Sequence, residues 1–204
     1  MSTVTVSDTP FVGSDRLLVG IVLSVLTFWL FAQSVINVVP AMKSSLDISL
    51  ETLTLAVSLS ALFSGCFVVA SGGLADKFGR MRMTTLGLGL SIIGSAMLVL
   101  AQGPGLFLAG RVLQGLSAAC IMPATLALIK TWYQGRARQR AVSFWVIGSW
   151  GGSGLCSFVG GAIATGLGWR WIFVFSIAVA LLALFLLRGT PESRSASASQ
   201  HKLD

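Results

Sequence analysis

Gly72-Gly73-Leu74-Ala75-Asp76-Lys77-Phe78-Gly79-Arg80-Met81-Arg82 gathers charge at one point of an otherwise apolar region. Before it runs Leu53 to Leu74, and after it Met83 to Ala101. Each flank has the roughly 20 apolar residues that a helix needs to cross a bilayer core. The stretch therefore reads as the short connection of a helical hairpin. Gly79 permits the tight turn, Asp76 is placed to cap the next helix N-terminus, and Lys77, Arg80 and Arg82 can meet lipid phosphates or acidic partners.

Four further stretches have the same character: Leu17 to Pro40, Leu106 to Ile129, Ala141 to Ala164, and Trp171 to Leu187. Their runs are continuous rather than alternating, which favours helices over a barrel. Composition agrees. Of 204 residues, 54% are hydrophobic and only 10% charged, against roughly 25% charged in a soluble chain. The mean hydropathy is +0.86. A soluble globule, a nucleic-acid-binding domain and a disordered chain are excluded. The expected fold is an all-α integral membrane bundle of six transmembrane helices over residues 17–187. Residues 1–16 form an N-terminal segment, and residues 188–204, rich in Ser and Ala, a flexible linker or tail.

The formal charge of +7 is an orientation signal rather than a polyanion site. Arg16, Lys77, Arg80, Arg82, Lys130, Arg136, Arg138, Arg140, Arg188, Arg194 and Lys202 fall on one side of this layout, against Lys43 and Arg170 on the other. Both termini are expected in the cytoplasm. Cys66, Cys120 and Cys156 sit in apolar stretches without metal-ligand spacing and read as small buried hydrophobes. The one histidine, His201, lies in the tail. No catalytic set, metal or cofactor is expected, and the chain is not read as an enzyme.

Three spans carry notable residues. Span four holds Gly110-Arg111-Val112-Leu113-Gln114-Gly115-Leu116-Ser117. An arginine inside an apolar helix is costly unless it faces water or a partner, and Gln114 and Gly115 follow at i+3 and i+4 on its face. Either Arg111 is an interior cation, or its head snorkels to the nearby membrane edge. Span five is dense in glycine, with Gly148, Gly151, Gly152, Gly154, Gly160 and Gly161, and leads to Trp169-Arg170-Trp171-Ile172-Phe173. Such glycines let helix backbones approach closely in lipid. In span one, Trp29, Gln33, Asn37 and Pro40 share a face beside Ser34. That face either binds an uncharged aromatic or amide-bearing substrate or supplies interhelical hydrogen bonds. The seven acidic residues, Asp8, Asp15, Asp47, Glu51, Asp76, Glu192 and Asp204, all lie outside the spans.

The connection Gly72–Arg82 fits the pattern Gx3D[RK]xGR, and in both form and position it resembles the signature loop of the major facilitator superfamily. Arg111-Val112-Leu113-Gln114-Gly115 resembles that family's RxxQGxG element, and the glycine-rich fifth span its antiporter motif, with Cys156-Ser157 in place of the usual Gly-Pro. The first span lacks the aspartate that fourteen-span drug:proton antiporters carry at the place of Ala32. The resemblance covers nearly the whole chain but only the first half of such a transporter, a 3+3 inverted repeat. It implies a cell-membrane, multi-pass exporter of amphipathic drug-like compounds, of the quinolone and tetracycline type associated with antibiotic resistance. It favours the interior role for Arg111. Trp29, Gln33, Ser34, Asn37, Arg111 and Gln114 become the substrate or proton pathway, and Gly72, Asp76, Lys77, Gly79 and Arg80 a gating loop. The implied partners are the lipid bilayer, a small-molecule substrate, and a second half-transporter or second copy. Two other readings stay open: a truncated or non-transporting interaction module, and an uptake carrier of the same superfamily.

Overall fold

The computed structural model describes residues 12–46 and 48–194, leaving out the side chains of Phe31, Gln33 to Asn37 and Pro40. Every described element is helical: α1 (Asp15–Leu46), α2 (Leu50–Phe78), α3 (Arg80–Leu100), α4 (Pro104–Trp132), α5 (Gly135–Val146), α6 (Gly152–Leu167) and α7 (Arg170–Leu187). A π-helical turn, Ile147–Gly151, joins α5 to α6, making one continuous helix over Gly135–Leu167. Among the described residues, five helices are long and apolar enough to cross a membrane: α2, α3, α4, the α5–α6 helix and α7.

Boundaries differ from the sequence reading where charge was equated with loop. Arg136, Arg138 and Arg140 lie in α5, which begins six residues before the expected fifth span. α1 runs through Pro40 to Leu46. Cys66 is exposed on α2, while Cys120 and Cys156 are buried; an outward cysteine on a lipid-facing helix satisfies the same apolar pattern as an inward one.

α4 packs along α3 and α2, and α1 along α7 and α6; α3 also meets α7, and α1 meets α4. The core has two apolar ends. One gathers Met42, Leu53, Leu98, Phe107 and Phe173, and the other Ile21, Leu88, Ile121, Leu128 and Leu187. Between them, in chain order along the helices, come the fully buried Thr27, Ser91, Ser95, Arg111, Gln114, Ser117 and Ser176. A polar belt thus crosses the middle of the bundle. Small hydroxyls suit it, because in a helix they can return a bond to a preceding carbonyl, as Thr27 does to Ser24 O at 2.7 Å.

Glycines set the closest helix crossings. Gly94 on α3 and Gly110 on α4 face one another, so that a Cβ on either would come within 2.9 Å of the other's carbonyl oxygen. At Gly115 a Cβ would lie 2.5 Å from Ser60 O on α2. Gly115 therefore turns to α2, not into a shared surface with the Arg111 head.

The two ends are tied by polar clamps. At one, the Tyr133 hydroxyl donates to Ser14 O at 2.6 Å, and burial, then Asp15, pushes this phenol up to about 12. At the other, Trp169 Nε1 donates to Ser45 Oγ at 2.8 Å. Arg170 donates to Val99 O at 3.2 Å and Ala101 O at 3.0 Å, where cations favour the carbonyl end of α3.

Candidate functional site: a buried arginine and a capped turn

Arg111 has no exposed surface. Its Nη1 donates to Gln114 Oε1 at 3.0 Å, the Gln114 amide nitrogen donates to Ser95 Oγ at 3.2 Å, and Ser60 Oγ donates to the Arg111 carbonyl at 3.0 Å. A spacing of three on α4 brings cation and amide together. The α3–α4 crossing at Gly94 and Gly110 is close enough for Ser95 to complete the chain. The guanidinium points into the bundle rather than toward headgroups. Arg111 and Gln114 are both fully buried, with hydrogen-bond partners on α2, α3 and α4. Ser60 and Ser95 were missed, since serines in apolar helices are too common to stand out without their partners.

Ser91, Ser117 and Ser176 have buried hydroxyls with no partner. Such groups carry a desolvation cost of about 1–3 kcal/mol each, so the belt retains unused polar capacity. Trp29 packs against Gly152, whose Cβ would fall 3.1 Å from the indole Cδ1, and its Nε1 is buried without a partner. Gln33, Ser34 and Asn37 lie on α1, but their side chains are outside the described residues.

The glycines of the fifth span divide. Gly148 abuts Val22, and Gly152 abuts Leu26 and Trp29, while Gly151 has only ordinary contact and Gly154 and Gly161 face open space. Gly160 is buried. Close packing on α1 thus rests on Gly148, within the π-helical turn, and Gly152, just after it.

The turn between α2 and α3 is a single residue, Gly79, with φ 124°. Asp76 stays inside α2 and does not cap α3. Its Oδ1 accepts from Arg80 Nη2 at 2.8 Å and Nε at 3.1 Å, and Arg80 Nη1 reaches the Thr131 hydroxyl. Lys77 lies over the Phe78 ring, and Gly72 sits beside Pro123 of α4. The cap comes from beyond α7. Glu192 Oε1 and Oε2 accept from the backbone N–H of Met81 at 2.8 Å and of Arg82 at 2.9 Å, and Ser193 O accepts from Arg80 N at 3.0 Å. A carboxylate at a helix N-terminus is favoured by both the orphan donors and the dipole. The start of the segment expected to be a flexible linker is therefore docked. Gly79 is required twice over: its φ is left-handed, and a Cβ would lie 2.4 Å from Glu192 Cδ.

A bundle of long apolar helices with an arginine, an amide and hydroxyls linked at mid-depth is a multi-pass membrane protein. The family model of the Major Facilitator Superfamily matches residues 17–203, and the chain belongs to that superfamily. It is 59% identical over 194 residues to the quinolone resistance protein NorB of Staphylococcus aureus strain JH9, covering 95% of this chain and 42% of that relative. The same protein of strain Newman gives the same figures. The chain thus spans less than half the length of these relatives. Among solved structures, a D-xylose-proton symporter aligns with a TM-score of 0.75 at 18% identity, over 93% of this chain and 53% of that one. That likeness concerns the fold.

Proposed function

We propose that this segment is the N-terminal six-span half of a membrane exporter of amphipathic, drug-like compounds, acting without covalent chemistry on its cargo. The observation that carries the reading is the 59% identity to a quinolone resistance protein along 95% of the chain. α1, with 32 residues, supplies the sixth span. A 3+3 repeat is supported by the packing: exchanging α1, α2 and α3 for α4, the α5–α6 helix and α7 swaps the α3–α4 contact with α1–α7 and the α2–α4 contact with α1–α6, and leaves α3–α7 and α1–α4 as they are. Transport then needs a second bundle, because alternating access is the rocking of two bundles about a site between them. Proteoliposomes holding only these 204 residues should show no proton-driven efflux of a fluorescent cationic dye. Efflux that collapses with an uncoupler would instead establish a dimeric half-transporter.

Both termini are assigned to the cytoplasm on the asymmetry of Lys and Arg. With the three cysteines replaced, a cysteine at Ser197 should label from the cytoplasmic side and one at Ser45 from outside. A residue-45 cysteine labelled only from within would reverse the orientation.

The Gly72–Arg82 turn is assigned to the conformational gate rather than to cargo binding. Its ion pair and cap are one-state contacts that a rocking bundle would have to release. In a complete transporter carrying this segment, Asp76→Asn and Glu192→Gln should each change turnover severalfold while cargo affinity holds. Equal losses in both quantities would place the turn in the binding site.

A further inference from the structure

Two cavities follow one another along α1. The first, about 170 Å3, is lined by Leu18, Val19, Val22, Leu23 and Phe144, with Asp15 and Arg140 at its mouth. The second, about 150 Å3, is entirely apolar, with Leu26, Leu30, Val159, Phe175 and Val179 among its walls. Leu23 lines both, and the two lie in succession along one side of α1, walled by the α5–α6 helix, with α7 joining farther along. From Asp15 to Leu30 the trough is about 22 Å long, close to half the thickness of a bilayer with its headgroups, about 20–22 Å.

The mouth is charged and the rest is not. Arg16 donates to Phe185 O at 2.9 Å and lies 5.4 Å from the Phe185 ring centroid. Arg140 pairs with Asp15 at 2.8 Å and lies 5.8 Å from the Phe144 ring centroid. Asp15 and Arg140 line the mouth, and with Arg16 next to Asp15 on α1 this end of the trough carries two guanidinium groups against one carboxylate. All three side chains are exposed, so they can rearrange around a ligand. A positive mouth on a leaflet-long apolar trough complements a molecule with an anionic head and a long hydrocarbon tail.

We propose that this trough holds one acyl chain of an anionic phospholipid, with its phosphate held between Arg16 and Arg140. The bond from Arg16 to Phe185 O places that guanidinium beside the C-terminal end of α7. Asp15 competes with the phosphate for Arg140 and sets how tightly the lipid is held. The Phe185 and Phe144 rings lie against the two guanidinium groups.

Native mass spectrometry of the purified chain tests this with dioleoyl phosphatidylglycerol and dioleoyl phosphatidylcholine as probes. The wild type should retain the phosphatidylglycerol adduct preferentially, and Arg16→Gln and Arg140→Gln should each weaken it about fivefold. Asp15→Asn should strengthen it. Val19→Trp, at a half-exposed position, should block retention of the lipid without touching the charges, and glycerol phosphate, which has a head but no tail, should not compete. No preference between the two lipids would overturn the proposal. So would weakening by Asp15→Asn, competition by glycerol phosphate, or an unchanged adduct in a folded Val19→Trp variant. Should Val19→Trp fail to fold, the opposite signs for Asp15→Asn and Arg140→Gln still decide the matter. A lipid-free dimer formed through this face would assign the trough to a second copy.

Discussion

Gly115→Ala should lower the melting temperature of the purified chain sharply, while Gly154→Ala and Gly161→Ala should leave it nearly unchanged. The difference lies in what each new methyl group meets. At Gly115 it would come within 2.5 Å of Ser60 O and 3.0 Å of Phe63 Cβ. The first of these is backbone, so α2 and α4 must separate. Forced expansion of a packed interior costs about 1–3 kcal/mol and sometimes more, and here it also strains the Ser60 hydrogen bond to Arg111 O. A loss of about 3 kcal/mol corresponds to a fall of roughly 6–12 °C for a chain of this size. At Gly154 and Gly161 nothing lies within 4 Å. Intrinsic tryptophan fluorescence during heating in detergent reads all three variants. A Gly115→Ala protein as stable as the parent would show that the α2–α4 crossing is loose.

The second large effect is expected at Arg111. In a complete transporter carrying this segment, Arg111→Lys should cut efflux tenfold or more, with membrane insertion retained. Lysine keeps the charge but loses the planar fork that meets the Gln114 amide. Gln114 then has a buried oxygen lacking its donor, at a cost of about 1–3 kcal/mol, and can swing away from Ser95. Tenfold in rate needs only about 1.4 kcal/mol, so a modest disturbance of the Arg111–Gln114–Ser95 chain suffices. Arg111→Leu should abolish efflux and, with Gln114→Leu added, regain stability without regaining transport, since replacing both polar partners removes the orphaned group. Normal efflux by Arg111→Lys would reduce the site to a structural charge.

The sequence and the structure agree where physics is local. Gly79 could be read as a turn because only a flexible residue permits so short a connection, and its φ of 124° fits that reason. Arg111 with Gln114 could be paired because helical periodicity places i and i+3 side by side. What the pattern did not reveal was partnership across the chain. Asp76, the nearest acid, looked like the cap for α3, yet the geometry gives that role to Glu192, more than a hundred residues away. The available signal was an acidic residue just beyond the last span, facing a helix whose first turn holds none. Within the glycine-dense fifth span, Gly148 and Gly152 lie against α1 while Gly154 and Gly161 face open space, a difference that composition alone does not carry. The π-helical turn had no signal that could be separated from the same glycines. Arg170 counted only as a loop charge, and its bonds to Val99 O and Ala101 O depend on the end of α3 lying beside the start of α7.

The cap on α3 also has a history in time. At a synthesis rate of about 5–20 residues per second, the roughly 110 residues separating Arg82 from Glu192 take about 5–22 seconds to make. Throughout that interval α2 and α3 can enter the membrane as a hairpin, but the first amides of α3 have no carboxylate to receive them. The hairpin is provisional until α7 has been made and its trailing residues fold back. Glu192 thus acts as a late fastener, recording at the start of α3 that the last helix of the bundle has arrived.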